Sequence, residues 1–176
     1  MTSIFKNRQE QFDAIFRMHS KMIFLIALRY VSSEFDAEEV VQRSFVKIYK
    51  AMGNLDNRGE HALKGWLSKI AVNESLLFLR EQKRFQNDDE LLETGIEESL
   101  EMDIDIDYEL CLKLVRELPT GYRSVFNLFV IEGYSHKEIA ELLGIAESAS
   151  RSQLTRARNI LKKKIKKLYS HGKIVG

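Results

Sequence analysis

Cysteine, proline and long apolar runs are nearly missing from this chain of 176 residues. The one cysteine, Cys111, cannot form an internal disulfide. The four histidines (His19, His61, His136, His171) are scattered, and no CxxC or Cys/His cluster offers a zinc site, so neither a metal nor a cofactor is expected. The longest apolar stretch, Met22 to Leu28, is seven residues. Spanning a bilayer takes roughly 20, so no membrane insertion is expected. The N-terminal residues lack the apolar core and cleavage site of a signal peptide. Together these absences point to a reduced, soluble, cytoplasmic protein. Period-two alternation of strand-forming residues is also lacking, which excludes a sheet from the expected fold.

Net charge is nearly absent too, at +1 from 27 basic and 26 acidic residues, but the distribution is lopsided. Residues 1–84 carry 14 basic and 10 acidic groups, and residues 113–176 carry 13 and 5. Between them, residues 85–112 hold 11 acids and no base. Two basic blocks around an acidic one suggest a polyanion-binding chain with a distinct middle segment.

What is present is helical spacing. Phe12, Ile15, Phe16, His19, Met22, Ile23, Ile26, Ala27 and Tyr30 step by three and four, and Phe24, Leu25 and Leu28 widen this face, as in a helix central to a bundle. A second helix is expected to open at Asp36 with Glu39 in a capping-box-like arrangement. Its stripe is Ala37, Val40, Val41, Ser44, Phe45 and Ile48. Residues 52–59, rich in Gly and Asn, read as a loop. A third helix presents Leu63, Trp66, Leu67, Ile70, Ala71, Leu77 and Phe78. The acidic stretch that follows resists compaction through like-charge repulsion and reads as a flexible linker. Helical spacing returns from about Ile104 through Cys111, here a small core residue, to Leu118, and Pro119 opens a helix carrying Tyr122, Val125, Phe126, Phe129 and Val130.

The C-terminal pattern is sharper. Ser135 and Glu138 form a capping box ahead of Ile139, Ala140, Leu142 and Leu143, and Gly144 supplies a turn. A longer helix from about Ala146 to Leu168 buries Ser150, Leu154, Ala157, Leu161, Ile165 and Leu168. This is a helix-turn-helix pattern that leaves Arg151, Ser152, Thr155, Arg156 and Arg158 off the inward stripe. Such side chains bond base edges and phosphates, although polar residues on an outer helix face are often only solvated. The lysine run 162–167 equally suits phosphate contact or a solvated helix end. The fold expected is therefore all-α: two small helical domains, 1–84 and 106–176, joined by an acidic flexible linker, 85–105, with the helix-turn-helix in the second.

Two sets of motifs resemble an extracytoplasmic-function sigma factor of the sigma-70 family. The N-terminal set is Asp36 to Phe45, Trp66 to Asn73, Leu79-Arg80 and Lys83-Arg84. The C-terminal set is Leu118-Pro119, Arg123, Gly133 to Ala140 and Arg151 to Arg158. The resemblance implies a promoter-specificity subunit of bacterial RNA polymerase and no enzyme. It implies core polymerase docking through Asp36, Glu39, Gln42 and Phe45, although Phe45 also suits the core and the acids a helix N-terminus. It implies recognition and melting of the −10 element by Asn54, Asn57 and Arg58 of the loop and Asn73, Arg80, Lys83 and Arg84 of the third helix. Asn73 also reads as a satisfied polar residue, and Trp66 as core. In duplex form the −35 element falls to Arg151, Ser152, Thr155 and Arg156, with Arg158 and Arg123 on phosphates. By the same resemblance, the linker lies in polymerase's RNA path and an anti-sigma factor is a partner.

Two departures from the family pattern concern the reading helix. Ala146 stands where relatives often carry Ser or Pro, and Ser150 where Val is common, with a hydroxyl able to bond back to the preceding turn. Linker length is compatible with the reading. The resemblance implies DNA elements about two helical turns apart, ~70 Å. Residues 85–103 reach about 65 Å when extended at ~3.4 Å each, and the two domains themselves add to that reach. The rivals are a stand-alone helix-turn-helix transcription regulator, for which no heptad dimerisation seam is visible, and an enzyme with a metal at Asp103, Asp105 and Asp107, which lack a nearby His or phosphate loop.

Overall fold

A computed structural model of the chain describes residues 8–31, 33–54, 59–82 and 108–170, with the side chains of Asn54 and Tyr108 excepted. Every element among them is helical, and packing divides the chain into two units, Met1–Gln82 and Lys83–Gly176. The residues assigned to the linker, 85–105, lie outside the described set.

The first unit is a three-helix bundle of α1 (Arg8–Val31), α2 (Glu34–Ala51) and α3 (Gly59–Glu81). A single 3₁₀ turn, Met52–Asn54, follows α2. Its core joins Ile15, Ile23, Ala27 and Tyr30 of α1 to Ala37, Val40 and Ile48 of α2 and Leu67, Ala71 and Phe78 of α3. Burying each large aliphatic side chain contributes about 1.5–3 kcal/mol. α2 begins two residues before the expected start. Ser33, in extended conformation, accepts a hydrogen bond from the Asp36 amide through its hydroxyl, 3.5 Å, and is the N-cap. Glu34 and Asp36 then complement the helix dipole in the first turn. Charged pairs tie α2 to α3: Lys47 to the buried Glu74, and Arg43 to Glu81 at 2.5 Å, with its guanidinium over Phe78. Leu77, expected in the core, is exposed on α3.

The second unit contains α4 (Tyr108–Arg116), α5 (Thr120–Phe126), α6 (His136–Leu143) and α7 (Glu147–Ser170). Leu114, Val115, Leu118 and Tyr122 pack on Ala157, Ile160 and Leu161 of α7. Cys111 is exposed, contrary to expectation. It lies in the first turn of α4, one turn short of the buried Leu114 and Val115. Pro119 is the N-cap of α5, which runs into a π-turn over Asn127–Ile131 closed by the Glu132 amide on the Asn127 carbonyl, 3.0 Å. The wider π-turn rotates the inward face. Leu128 is therefore fully buried, whereas Val130, expected inside, is 48% exposed.

Candidate docking and nucleic-acid surfaces

The helix-turn-helix is built by local rules. Ser135 caps α6 reciprocally: its hydroxyl accepts from the Glu138 amide at 3.3 Å while the Glu138 carboxylate accepts from the Ser135 amide at 2.8 Å. Hydrogen bonds to the Glu138 carboxylate, first from the Ser135 hydroxyl and then from its amide, hold that carboxyl below the usual carboxylate range. Gly144 closes α6 in the left-handed conformation, φ 69°, which costs a glycine nothing and lets α7 turn away at once. α7 starts at Glu147 with the Ala146 carbonyl accepting from the Ser150 amide. Ser150, Leu154, Ala157 and Leu161 are its buried stripe.

That stripe leaves Arg151, Ser152, Thr155, Arg156 and Arg158 exposed, all five on α7. Arg151 pairs with Glu147 one turn back. The Thr155 and Ser152 hydroxyls donate to the Arg151 and Ala149 carbonyls at 3.1 and 3.0 Å. Two arginines are steadied from the flanks. Arg156 donates to the Tyr122 hydroxyl at 3.2 Å, and Arg158 lies 5.9 Å from the ring centre of Phe129. Arg123 does not join them. It is 4% exposed, and its guanidinium donates to the Arg116 and Leu118 carbonyls at 2.8 and 3.1 Å. It thereby satisfies the open carbonyls at the end of α4, so the phosphate role expected for it gives way to a structural one. Ser150 also departs from expectation. Its hydroxyl meets Nδ1 of His136 at 2.9 Å.

In the first unit, the second apolar ridge of α1 does not enter the core. Phe12, Phe16 and Phe24 instead line an open groove of about 770 Å³ with Val41, Phe45 and Val46 of α2. Its aromatic floor is closely packed: Phe45 lies 4.7 Å from Phe16 and 5.9 Å from Phe12, and Tyr49 5.2 Å from Phe12, with both contacts to Phe12 edge to face. Of the four docking candidates, Gln42 and Phe45 reach this groove. Phe45 is only 4% exposed and serves as floor. Glu39 turns aside to bond Arg43 at 2.6 Å, and Asp36 is buried in the first turn of α2. Glu38, Val46, Tyr49 and Lys50 line the groove and were not singled out from sequence. Their signal was there, since 38, 42, 45, 46 and 49 share one face of α2.

On α3, Asn73 and Arg80 are exposed and, seven residues apart, share a face. Lys69, not among the expected residues, and Leu77, expected in the core, are exposed on that same face and add a cation and an apolar contact. Asn54 ends the 3₁₀ turn. Asn57, Arg58, Lys83 and Arg84 lie outside the described residues, as do Asp103, Asp105 and Asp107. No group of His, Cys, Asp or Glu among the described residues is arranged to hold a metal ion, and no described helix is long and apolar enough to cross a membrane.

Comparison with known proteins assigns both units. Residues 15–85 match the family model for Sigma-70 region 2, and residues 109–161 that for Sigma-70, region 4. The chain is 28% identical over 177 residues to the ECF RNA polymerase sigma-E factor of Salmonella typhimurium, covering 93% of this chain and 91% of the relative. It is 28% identical over 176 residues to that of Haemophilus influenzae, covering 91% and 90%. The fold is similar to that of the sigma factor RpoE from Bartonella quintana, solved with the anti-sigma factor NepR. That match has a TM-score of 0.51 at 23% identity and covers 89% of this chain and 98% of that one. Regions 2 and 4 stand in family order and together span most of the sequence, with a helix-turn-helix in the second. The chain therefore belongs to the sigma-70 family, as an extracytoplasmic-function sigma factor for promoter-specific transcription initiation.

Proposed function

We propose that this sigma factor divides its work among three surfaces. Residues 1–84 dock on core RNA polymerase through the α1–α2 groove and engage the −10 element. Residues 106–176 read the −35 duplex, and residues 85–105 link them. The observation that carries the reading is the helix-turn-helix itself: a capped α6, a left-handed Gly144 and an α7 whose buried stripe leaves a continuous polar face. On that face Arg151, Ser152 and Thr155 are the base-reading residues, with Arg156 and Arg158 at its flanks. An arginine placed on guanine O6 and N7 is worth roughly 1–3 kcal/mol of discrimination.

In the docking groove Gln42 and Phe45 act with Glu38, Val46 and Tyr49, while Asp36 and Glu39 support α2 from behind. A mixed apolar floor and polar rim is the usual anatomy of a protein docking site. For the −10 element, Asn73, Lys69 and Arg80 form the described part of the surface, and Asn54, Asn57, Arg58, Lys83 and Arg84 complete it. Melted bases need capture by stacking and hydrogen bonding, and the phosphates need cations.

The chain works in the cytoplasm, performs no covalent chemistry of its own and uses no cofactor or small-molecule substrate. An anti-sigma factor is the natural antagonist, as the Bartonella relative's complex with NepR suggests. The test is co-elution with purified core polymerase, followed by anisotropy titration of the complex with −35 duplexes carrying single base changes. Retention on core, and loss of base preference at one position in Arg151→Ala, support the reading. A chain that passes core unretained and binds every duplex alike overturns it.

A further inference from the structure

One polar side chain joins three parts of the second unit. His136 is the first residue of α6, and its Nδ1 lies 2.9 Å from the hydroxyl oxygen of Ser150 in α7. Ser150 is fully buried, so its hydroxyl needs a partner inside the fold. Either imidazole tautomer serves: the hydroxyl donates to a bare Nδ1 or accepts from Nδ1–H. The flat face of the same ring stacks on Phe129 of the π-turn, with centres 4.5 Å apart and planes 22° apart. Phe129 in turn holds the guanidinium of Arg158, 5.9 Å from its ring centre.

An aliphatic pair at positions 136 and 150 would pack the two helices without any polar group to satisfy. The pair present is directional instead, and its line of contacts ends on an exposed cation of the recognition helix. Burial, then Arg151 and Arg158, disfavour the imidazolium, against Glu147, and lower the pKa of the ring.

We infer that His136 is a positioning residue for promoter-duplex binding: through Ser150 it seats α7 against α6, and through Phe129 it aims Arg158 at the DNA backbone. The inference rests on the reading that α7 faces DNA.

The test uses the full-length chain and a 30-base-pair duplex enriched from a randomised pool by the wild-type chain bound to core polymerase. Affinity is followed by anisotropy from 50 to 200 mM salt, below the melting temperature of each variant. Each phosphate contact contributes about 0.9 to the slope of log K against log salt. Arg158→Ala should lower the slope by about that amount. His136→Ala and His136→Asn, which lack the ring, should do the same and weaken binding about five- to tenfold. His136→Phe keeps the ring and should keep the slope. Because ring and guanidinium act in series, His136→Ala combined with Arg158→Ala should lose no more slope than either alone.

If Arg158→Ala lowers the slope while His136→Ala and His136→Asn leave it unchanged, or if the two losses add, the inference is overturned and His136 serves stability alone. If Arg158→Ala has no effect on the slope, the inference is overturned while the reading of α7 stands; if no duplex is enriched, the reading of α7 itself fails and the inference falls with it.

Discussion

Replacing Arg123 separates a structural arginine from a DNA-binding one. Its guanidinium is buried and bonds two carbonyls at the end of α4, those of Arg116 and Leu118, and reaches the Thr120 hydroxyl at 3.5 Å. Hydrogen bonds from a charged donor are worth about 1.5–3 kcal/mol each, and a buried acceptor left unsatisfied costs about 1–3 kcal/mol. These overlap, so Arg123→Met, which retains the aliphatic stem, should destabilise the second unit by roughly 2–4 kcal/mol. For a domain of 60–100 residues each kcal/mol shifts Tm by about 4–8 °C, which gives a fall of roughly 8–32 °C. Arg123→Lys, with a point charge instead of a planar fork, should recover only part of the loss. Thermal unfolding followed by circular dichroism gives the first number, and the salt dependence of duplex binding the second. The account requires a large loss of Tm and an unchanged salt slope. A Tm within 2 °C of wild type, with the slope lower by about 0.9, would place Arg123 on a phosphate and refute the reasoning.

Further perturbations probe the other surfaces. His19 is 4% exposed on α1, and its pKa is lowered by burial first and by Lys64 next, against Glu60. The unfolded chain thus binds more protons, and stability of the first unit should fall as pH drops below about 6.5, by up to ~1.4 kcal/mol per pH unit; urea titrations between pH 5 and 8 should show this in wild type and a flatter profile in His19→Gln. Val46→Asp places a carboxylate on the groove at a residue 54% exposed, so it should weaken core binding at least tenfold with Tm within about 2 °C of wild type. Gly144→Ala forces an L side chain into the left-handed region at φ 69°, and should cost about 1–2 kcal/mol in denaturant unfolding, with Gly144→Asn milder. Ser135→Ala removes one half of the capping box and should cost about 1 kcal/mol by the same measure.

Where a feature depends on neighbours in sequence, the chain can be read directly. The capping box of Ser135 and Glu138, the turn at Gly144 and the buried stripe of α7 need only residues three or four apart, so the linear pattern alone displays them. The same local logic misplaces the start of α2. Asp36 and Glu39 imitate a capping pair, while Ser33 uses the same three-residue reach to hold the Asp36 amide. What escapes depends on partners distant in sequence. The aromatic ridge of α1 reads as core because hydrophobicity does not say whether a third helix covers it; here α3 packs elsewhere and the ridge stays open as a groove. Arg123 reads as a surface cation until the α4 carbonyls are placed around it. The Ser150 hydroxyl finds His136 fourteen residues away, beyond any helical spacing. The π-turn leaves no signal, since Leu128 and Val130 are equally apolar and only packing decides which one turns inward.

Run-off transcription is the most direct measurement of the central claim. Core polymerase alone, and core with the purified chain, are given a library of templates randomised at the −10 and −35 positions. The account predicts discrete start sites only when the chain is present, and an altered −35 preference when Arg151 or Thr155 is replaced by Ala. Identical product spectra with and without the chain would contradict it.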